Sequence, residues 1–485
     1  MSTPLLNIAQ LRTLEKQMEA QLGAGVLMAR AGAATAVWVA AQWPERKTRI
    51  LIVCGPGNNG GDGYACASAL AAAGYAPTVV ACAASSTHDA QQARAQWSAA
   101  HSVLNELPPL EGYALIIDAL FGVGLSRALS GFMYEAVQAI NAAKAKAKAH
   151  VLALDCPSGL DVERGAWVGD IPGVQAHTTL TFIAAKPGLY TGVATDACGE
   201  VIVESLGVDI ATWVQPAGWL NAPEQFSTVC QPRRHDTHKG TYGAVAVVGG
   251  NVGMVGAALL AARAALRLGA GRVYVDAIGA PELRVDPLQP DLMFQPIAQL
   301  TQIKAVVLGC GLGQDERARA AFAQALALPV THIIDADALA LLQPDIALTQ
   351  PAVLTPHPLE AGRLLHCSAA EVQRDRIGAA RRLAAQTNSV VVLKGAGTVI
   401  ATKTHYWINP TGNAALATAG TGDVLAGMIA ALVAQGHTAL ESALAATWLH
   451  GAAAQAHGAD MGLVAGDVAA LAVRVLAQLR LGTQH

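Results

Sequence analysis

The segment Gly55-Pro56-Gly57-Asn58-Asn59-Gly60-Gly61-Asp62-Gly63 follows an apolar run, Arg49–Cys54, and leads into an Ala-rich stretch. A strand, a glycine-rich turn and a helix N-terminus in that order make an anion site. Backbone N–H groups point outward, the helix dipole favours negative charge, and missing side chains let a phosphate approach. Gly55, Gly57 and Gly60 satisfy G-x-G-x-x-G, but an ordinary NAD-binding unit adds an acidic residue about 20 positions on, at the end of the second strand. Here that strand ends Val79-Val80-Ala81-Cys82, with no carboxylate until Asp89. The expectation is a dinucleotide-related ligand held in a different way. A tight turn without a ligand is the rival reading, and two Asn and an Asp exceed what such a turn needs.

Two more strand ends carry carboxylates. Ala114–Asp118 continues as Ala119-Leu120-Phe121-Gly122-Val123-Gly124-Leu125-Ser126-Arg127-Ala128, and Val151–Asp155 continues as Cys156-Pro157-Ser158-Gly159-Leu160-Asp161. In open parallel sheets, ligands sit beyond the carboxyl ends of the strands. A lone strand-end Asp is more often a helix cap. Three such ends on one rim point instead to a crevice shared by Asp118, Asp155 and the Asn58–Asp62 loop.

In the second half, Asn409-Pro410-Thr411-Gly412-Asn413 is followed by Gly420-Thr421-Gly422-Asp423 before an apolar helix, Val424–Gln435. Gly420, Thr421 and Gly422 would present N–H donors to a phosphoryl group in flight, and Asp423 would reach that group's acceptor. A plain N-cap is the alternative role for Asp423. Lys394-Gly395-Ala396-Gly397-Thr398 follows the β run Ser389–Leu393, which suits a nucleotide contact; an ordinary hairpin turn is its rival. Thr355-Pro356-His357-Pro358-Leu359-Glu360 is a rigid loop presenting His357 and Glu360, though a lone His is usually structural. Asp335-Ala336-Asp337 ends another strand.

These segments need a scaffold, and short β-rich runs alternating with Ala-rich stretches predict α/β architecture with mainly parallel sheets. In the first half, strands are expected at Arg49–Cys54, Thr78–Cys82, Ala114–Asp118, Val151–Asp155, Thr179–Ile183 and Val201–Glu204. Helices are expected at Gly63–Ala73 and Tyr134–Ala147, after leading helices over Leu5–Trp43 broken near Gly23 and Gly25. A turn-rich zone, Pro216–Gly240, places a boundary between domains 1–221 and 222–485. The alternation restarts with strands Ala244–Val248, Arg272–Val275, Ala305–Leu308, His332–Asp335, Val390–Leu393 and Thr398–Ala401. Helices follow at Gly256–Leu268, Ala318–Leu326 and Val424–Gln435.

Bulk properties narrow the class. Of 485 residues, 53% are hydrophobic and 14% charged, so a large core is expected and long disorder is not. A net charge of −3 supplies no basic excess for nucleic acid or an anionic membrane surface. The run Lys144, Lys146, Lys148 reads as a solvated helix end. The start of the chain lacks a signal-peptide pattern, and the apolar stretch Ala414–Ala434 carries Asp423 too deep for a membrane span. Eight Cys show no zinc spacing and fit a reducing cytoplasm.

The motifs Gly-x-Gly-Asn-Asn-Gly-Gly-Asp-Gly, Asp-Ala-Leu-Phe-Gly-x-Gly-Leu and Asp-x-Pro-Ser-Gly resemble those of NAD(P)H-hydrate epimerases over roughly residues 10–215. The resemblance implies a Rossmann-like three-layer domain. It implies that Asn58, Asn59, Gly60, Gly61 and Asp62, with Gly122 through Ala128, hold the hydrated dinucleotide, and that Asp155 faces the reacting ring. Asn59, Asp118 and Ser158 would ligate potassium, an oxygen set that suits a hard cation. Residues of about 225–480 resemble ADP- or ATP-dependent NAD(P)H-hydrate dehydratases, through His238-Lys239-Gly240, Thr355-Pro356-His357-Pro358, Lys394-Gly395 and Gly420-Thr421-Gly422-Asp423. That implies a ribokinase-like fold. Ala257, Gly311, His357 and Asp423 would contact the hydrate, while Lys394, Gly395, Ala396, Gly397, Thr398, Gly420, Thr421 and Gly422 would contact the nucleotide, with Mg2+ accompanying ADP. Two departures stand out: Gly309-Cys310-Gly311-Leu312-Gly313 replaces the family's Gly-Pro-Gly-Leu-Gly, and His357-Pro358-Leu359-Glu360 replaces His-Pro-Gly-Glu.

The implied activity is metabolite repair. The first domain would interconvert (R)- and (S)-NAD(P)HX, and the second would dehydrate (S)-NAD(P)HX as ADP becomes AMP and phosphate, in a cytoplasmic homo-oligomer. The alternative is a ribokinase-like small-molecule kinase fused to a nucleotide-binding module.

Overall fold

The computed structural model describes residues 3–146, 149–343 and 346–482. The chain forms two compact units: one is Pro4–Ala217, and the other runs from Gly218 onward and includes Thr3. The expected division after residue 221 moves upstream because the strand Gly218–Leu220 already pairs in parallel with Tyr406–Ile408 of the second unit.

In the first unit, Thr78–Ala81, Ile50–Cys54, Leu115–Ala119, His150–Leu154, Thr178–Phe182 and Glu200–Glu204 form a sheet in that spatial order. All its pairings are parallel. Ile50–Cys54 is buried throughout, as a central parallel strand covered on both faces must be. The chain leaves Ile50–Cys54 to one side, toward Thr78–Ala81, and returns to the other, at Leu115–Ala119. That reversal opens a crevice at the carboxyl ends of these strands.

One helix begins earlier than the sequence suggests. It spans Asn58–Ala72, so the supposed glycine-rich loop Asn58–Asp62 is its first turn. The glycines serve close packing. A Cβ on Gly60 would lie 2.0 Å from Gly55 O, and one on Gly63 would lie 2.7 Å from Ala119 Cβ. Removing both lets the helix sit directly on the strand ends. It packs also against Val26–Gln42, where a Cβ on Gly32 would meet the Ala65 backbone at 2.5 Å. The helix Gly131–Ala145 ends near the basic run, where Lys144 Nζ donates to Ala176 O at 2.8 Å, so this lysine is not simply solvated. Ala147 and Lys148 lie outside the described residues.

In the second unit, the sheet runs Gly218–Leu220, Tyr406–Ile408, Val399–Ala401, Val390–Leu393, Ala352–Leu354, Thr331–Ile334, Ala305–Leu308, Ala244–Gly249, Arg272–Ala277, Met293–Phe294. Val399–Ala401 pairs antiparallel with both its neighbours. The apolar stretch near Ala414–Ala434 becomes the core helix Thr421–Ala434, buried along nearly its whole length. It lies so close to Val255–Arg267 that a Cβ on Gly427 would meet Ala261 O at 2.0 Å. Among the described residues, no single helix is long and apolar enough to cross a membrane. The helices Ala439–His457 and Ala465–Gly482 complete this face and were not anticipated from the sequence.

Candidate active sites

The first unit holds a cavity of about 490 Å3 at the crevice between its reversed strands. Asn58, Asn59 and Asp62 line it from the first turn of their helix, and Gly122, Val123, Gly124 and Leu125 from the loop after Leu115–Ala119. Gly61 N donates to Gly57 O at 3.2 Å, so the N–H groups of Asn58, Asn59 and Gly60, which precede that first helical bond, are left for a ligand. Gly60 and Gly61 are buried by packing and are not among the lining residues. Ser126, Arg127 and Ala128 are exposed and also lie outside the lining.

Asp155 enters the cavity just past the strand His150–Leu154, with its backbone at φ 61°. That left-handed conformation costs a residue with a Cβ energy, less so for Asp than for most. It turns the carboxylate toward Lys186, whose Nζ donates to Asp155 Oδ1 at 2.6 Å, to Thr181 Oγ1 at 2.7 Å and to Phe182 O at 2.8 Å. Lys186 is 1% exposed. Sequence reasoning missed it, although a lysine inside Ile183-Ala184-Ala185-Lys186-Pro187 is a charge in an apolar run. Gly122 stays side-chain-free for the same carboxylate: its Cβ would sit 3.2 Å from Asp155 Oδ2 and 3.4 Å from Asn59 Cβ.

Asp118 and Ser158 meet behind this surface. Ser158 donates to Asp118 through Oγ at 2.6 Å and through its backbone N–H at 2.8 Å, and Ser158 Oγ accepts from Phe121 N at 2.9 Å. Burial pushes the Asp118 carboxyl up to about 6, against the downward pull of the Ser158 bonds. Asn59 is buried with neither side-chain atom hydrogen-bonded. Arg12, Glu15 and Glu19, from the leading helix Ile8–Leu22, also line the cavity and were not singled out in the sequence.

The second unit repeats the reversal about Ala244–Gly249, which has Arg272–Ala277 on one side and Ala305–Leu308 on the other. The core helix starts at Thr421, with Gly420 as a left-handed N-cap at φ 90°. Asp423 therefore sits in the first turn, beside the unpaired N–H groups of that helix end. Thr421 uses its hydroxyl structurally, donating to Leu416 O and Thr418 O at 3.0 Å each. His450, buried one helix away, lies with Nε2 2.9 Å from Thr421 O, so that nitrogen donates.

Lys394 reaches this helix end from the strand Val390–Leu393. Its Nζ donates to Asp335 Oδ1 at 2.6 Å, and a Cβ on Gly422 would lie 3.2 Å from the same Nζ. Lys394 to Thr398 does form the connection of an antiparallel hairpin, the rival reading of the sequence, yet its lysine turns inward to the site. Arg376, fully buried, holds that connection by donating to Leu393 O and Lys394 O at 3.2 Å each. Thr398 Oγ1 closes it by donating to Gly395 O.

Cys310, Asp335 and Asp423 bring their ligating atoms within 4.8 Å of one another. Burial, then the Asp335 charge, pushes the Asp423 carboxyl up to about 6, while the Cys310 thiol and Lys394 pull it down. Gly311 faces the helix Val255–Arg267, where its Cβ would lie 3.1 Å from Ala257 Cβ, so these two predicted contacts come together. His357 acts as a helix cap. Its Nδ1 accepts from the N–H groups of Leu359 and Glu360, and Glu360 Oε2 accepts from His357 N at 2.7 Å. This capping box starts the helix Pro358–Leu364 and leaves the ring partly exposed beside the loop that bonds to Lys394 N.

Residues 245–475 match a family described as NAD(P)H-hydrate dehydratase, and residues 24–188 match one described as YjeF-related protein N-terminus. The bifunctional NAD(P)H-hydrate repair enzyme Nnr of Coxiella burnetii is 38% identical over 96% of this chain and 98% of its own. An ADP-dependent (S)-NAD(P)H-hydrate dehydratase of Neisseria meningitidis serogroup B is 42% identical over 52% of this chain and 90% of its own. A ribokinase-like superfamily protein of Enterococcus faecalis, solved as a crystal structure, has a TM-score of 0.50 and 27% identity, covering 55% of this chain and 98% of its own. Likeness to a repair enzyme over almost the full length of both chains, with a family match in each unit, makes this chain a member of the bifunctional NAD(P)H-hydrate repair enzyme family.

Proposed function

We propose that the first unit interconverts (R)- and (S)-NAD(P)HX and that the second dehydrates (S)-NAD(P)HX to NAD(P)H, converting ADP to AMP and phosphate. The observation that carries this reading is the placement of Asp423 in a helix's first turn, beside Lys394 and behind the left-handed Gly420. Hydroxide is a poor leaving group, so the ring hydroxyl must first be phosphorylated. Asp423 takes its proton, the hydroxyl oxygen bonds to the outer phosphorus of ADP, and AMP leaves. Helix N–H groups and Lys394 offset the charge on the moving phosphoryl. Phosphate then departs with the C–O electron pair, the neighbouring ring carbon gives up a proton, and the double bond returns.

In the first unit, Asn59, Asp118 and Ser158 would hold potassium. Asn59 Oδ1 is buried without a hydrogen bond and Asp118 is a fully buried carboxylate, so an oxygen-binding cation suits both. Such an ion would supply positive charge beside the dinucleotide's phosphates. Mg2+ would reach the second site on ADP itself. Asp335 is paired with Lys394, and Asp337 accepts from Gly313 N, so the nucleotide's own oxygens would be its main ligands. Eight free cysteines support the cytoplasm as the working compartment. A homo-oligomer is part of the proposal.

The test is to incubate the chain with an epimer mixture of hydrated NADPH and ADP. Reduced-nicotinamide absorbance should recover with equal amounts of AMP and phosphate. A stable phosphorylated dinucleotide without absorbance would identify a kinase instead.

Nucleotide handling gives a separate expectation. Lys394→Ala should weaken ADP more than the hydrate. It also leaves Asp335 buried and unpaired, which costs about 3–5 kcal/mol of stability. Lys394→Ala paired with Asp335→Ala should recover stability but not ADP affinity. Calorimetric titration with unchanged ADP binding in the double variant would remove Lys394 from the nucleotide site.

A further inference from the structure

We propose that Glu15, on the leading helix Ile8–Leu22, is the proton donor that works opposite Asp155 when the first unit inverts the hydrated ring carbon. The proposal deepens the epimerase reading above and rests on it.

Leu11, Leu14 and Met18 are buried on that helix, which the Asn7–Gln10 capping box anchors at its start. Glu15 lies at the edge of this apolar stripe and lines the same cavity as Asp155, Asn58, Asp62 and Gly122. Its carboxyl is raised to about 7, first by burial and then by the Asp155 charge. Glu19 adds to that rise, and Lys186 and Arg12 oppose it. Asp155, by contrast, has the Lys186 ammonium at 2.6 Å. One cavity thus holds a carboxylate paired with a buried cation and a second carboxyl that keeps its proton near neutral pH. A protonated carboxyl sharing a cavity with a carboxylate already bonded to an ammonium supplies an acid and a base to one site. Asp62 is a weaker donor candidate. Burial, Asp155 and Glu15 raise it well above the carboxylate range, and an acid serves best when its pKa is close to the working pH.

Hydration of a dihydropyridine puts the hydroxyl on the ring carbon bonded to nitrogen, because that carbon is the electrophilic end of the enamine once protonated. Asp155 takes the hydroxyl proton. The O–H pair forms C=O while the C–N bond breaks, its electrons go to nitrogen, and Glu15 passes its proton to that nitrogen. Rotation about the adjoining C–C bond presents the other aldehyde face. Nitrogen then re-forms the C–N bond, Glu15 recovers its proton from nitrogen, and Asp155 returns its own to oxygen. Nothing is oxidised or reduced, and both carboxyls end as they began.

The experiment follows epimer interconversion by the full chain without ADP, with the epimers separated chromatographically. Glu15→Gln should lower kcat for interconversion about 100-fold or more, with KM changed less than about threefold. Dehydratase turnover on the (S) epimer should stay at the parental value. The parent should lose epimerase rate as pH rises through about 7, because the donor must be protonated, and Glu15→Asp should keep that limb at reduced rate. Parental kcat in Glu15→Gln, or the same alkaline limb in it, overturns the proposal while leaving the epimerase reading intact. A parent that cannot interconvert the epimers overturns the reading itself. If Glu15→Gln misfolds, the limb in the parent and in Glu15→Asp decides: its absence from both overturns the donor role.

Discussion

Asp423→Asn keeps the fold and ADP binding but loses dehydratase turnover by about 100-fold or more, the scale of a positioned general base. The substitution preserves shape, and Asp423 sits in the first turn of a helix whose stability comes from burial of nearly every residue after it. What disappears is the group that accepts the proton. The parental enzyme carries a matching pH signature. A base acts only when ionised, and burial with the Asp335 charge raises Asp423 to about 6. The rate should therefore be full above about pH 7 and fall roughly tenfold per unit below 6, the slope of a single titrating group. AMP release measured across that range checks both statements. A near-parental rate in Asp423→Asn, or a parental profile flat through 6, would remove Asp423 from the mechanism.

Asp155→Asn in the full chain gives biphasic recovery of NADPH from an epimer mixture. Hydration creates a stereocentre, and a chiral pocket around Asp423 can direct only one hydroxyl toward the nucleotide. The dehydratase alone should stall with about half the mixture left, apart from slow spontaneous exchange, because transfer requires near-attack geometry. Asn is the better substitution for a reason visible only in three dimensions. Lys186 is fully buried, and removing its partner outright strands a charge at a cost of about 3–5 kcal/mol. Asn still offers an oxygen, whereas Asp155→Ala should show the same two phases on a less stable protein. Adding full-chain Asp423→Asn, which keeps its epimerase site, should merge the phases again. A single phase in Asp155→Asn alone would mean that Asp155 is dispensable or that the first unit is not an epimerase.

The sequence by itself determined the α/β class, the central strands and the two sets of polar strand ends. Those signals are local: apolar runs such as Ile50–Cys54 and Ala305–Leu308 declare themselves within a few residues, and glycine-rich punctuation marks where they stop. Short elements stayed hidden for the same reason, since Gly218–Leu220 and Tyr406–Ile408 span three residues each and are strands only through the neighbours they pair with, each other and, for Tyr406–Ile408, Val399–Ala401. The glycines between 55 and 63 were legible as important but read as a loop. Tertiary packing made them a helical turn, because only without a Cβ can that turn approach Gly55 O. Charge partners belong wholly to the fold. Asp155 and Lys186 are 31 positions apart, Lys394 and Asp335 are 59 apart, and no periodicity connects either pair. Glu15 looks like an ordinary polar residue on an amphipathic helix until the cavity closes around it. His357 gains a helix-capping role that only the fold reveals, because its backbone position at the start of Pro358–Leu364 gives its ring two N–H groups to satisfy. Local sequence selects elements through short-range sterics and burial pattern, while desolvation and Coulomb energy depend on which distant groups the fold brings together.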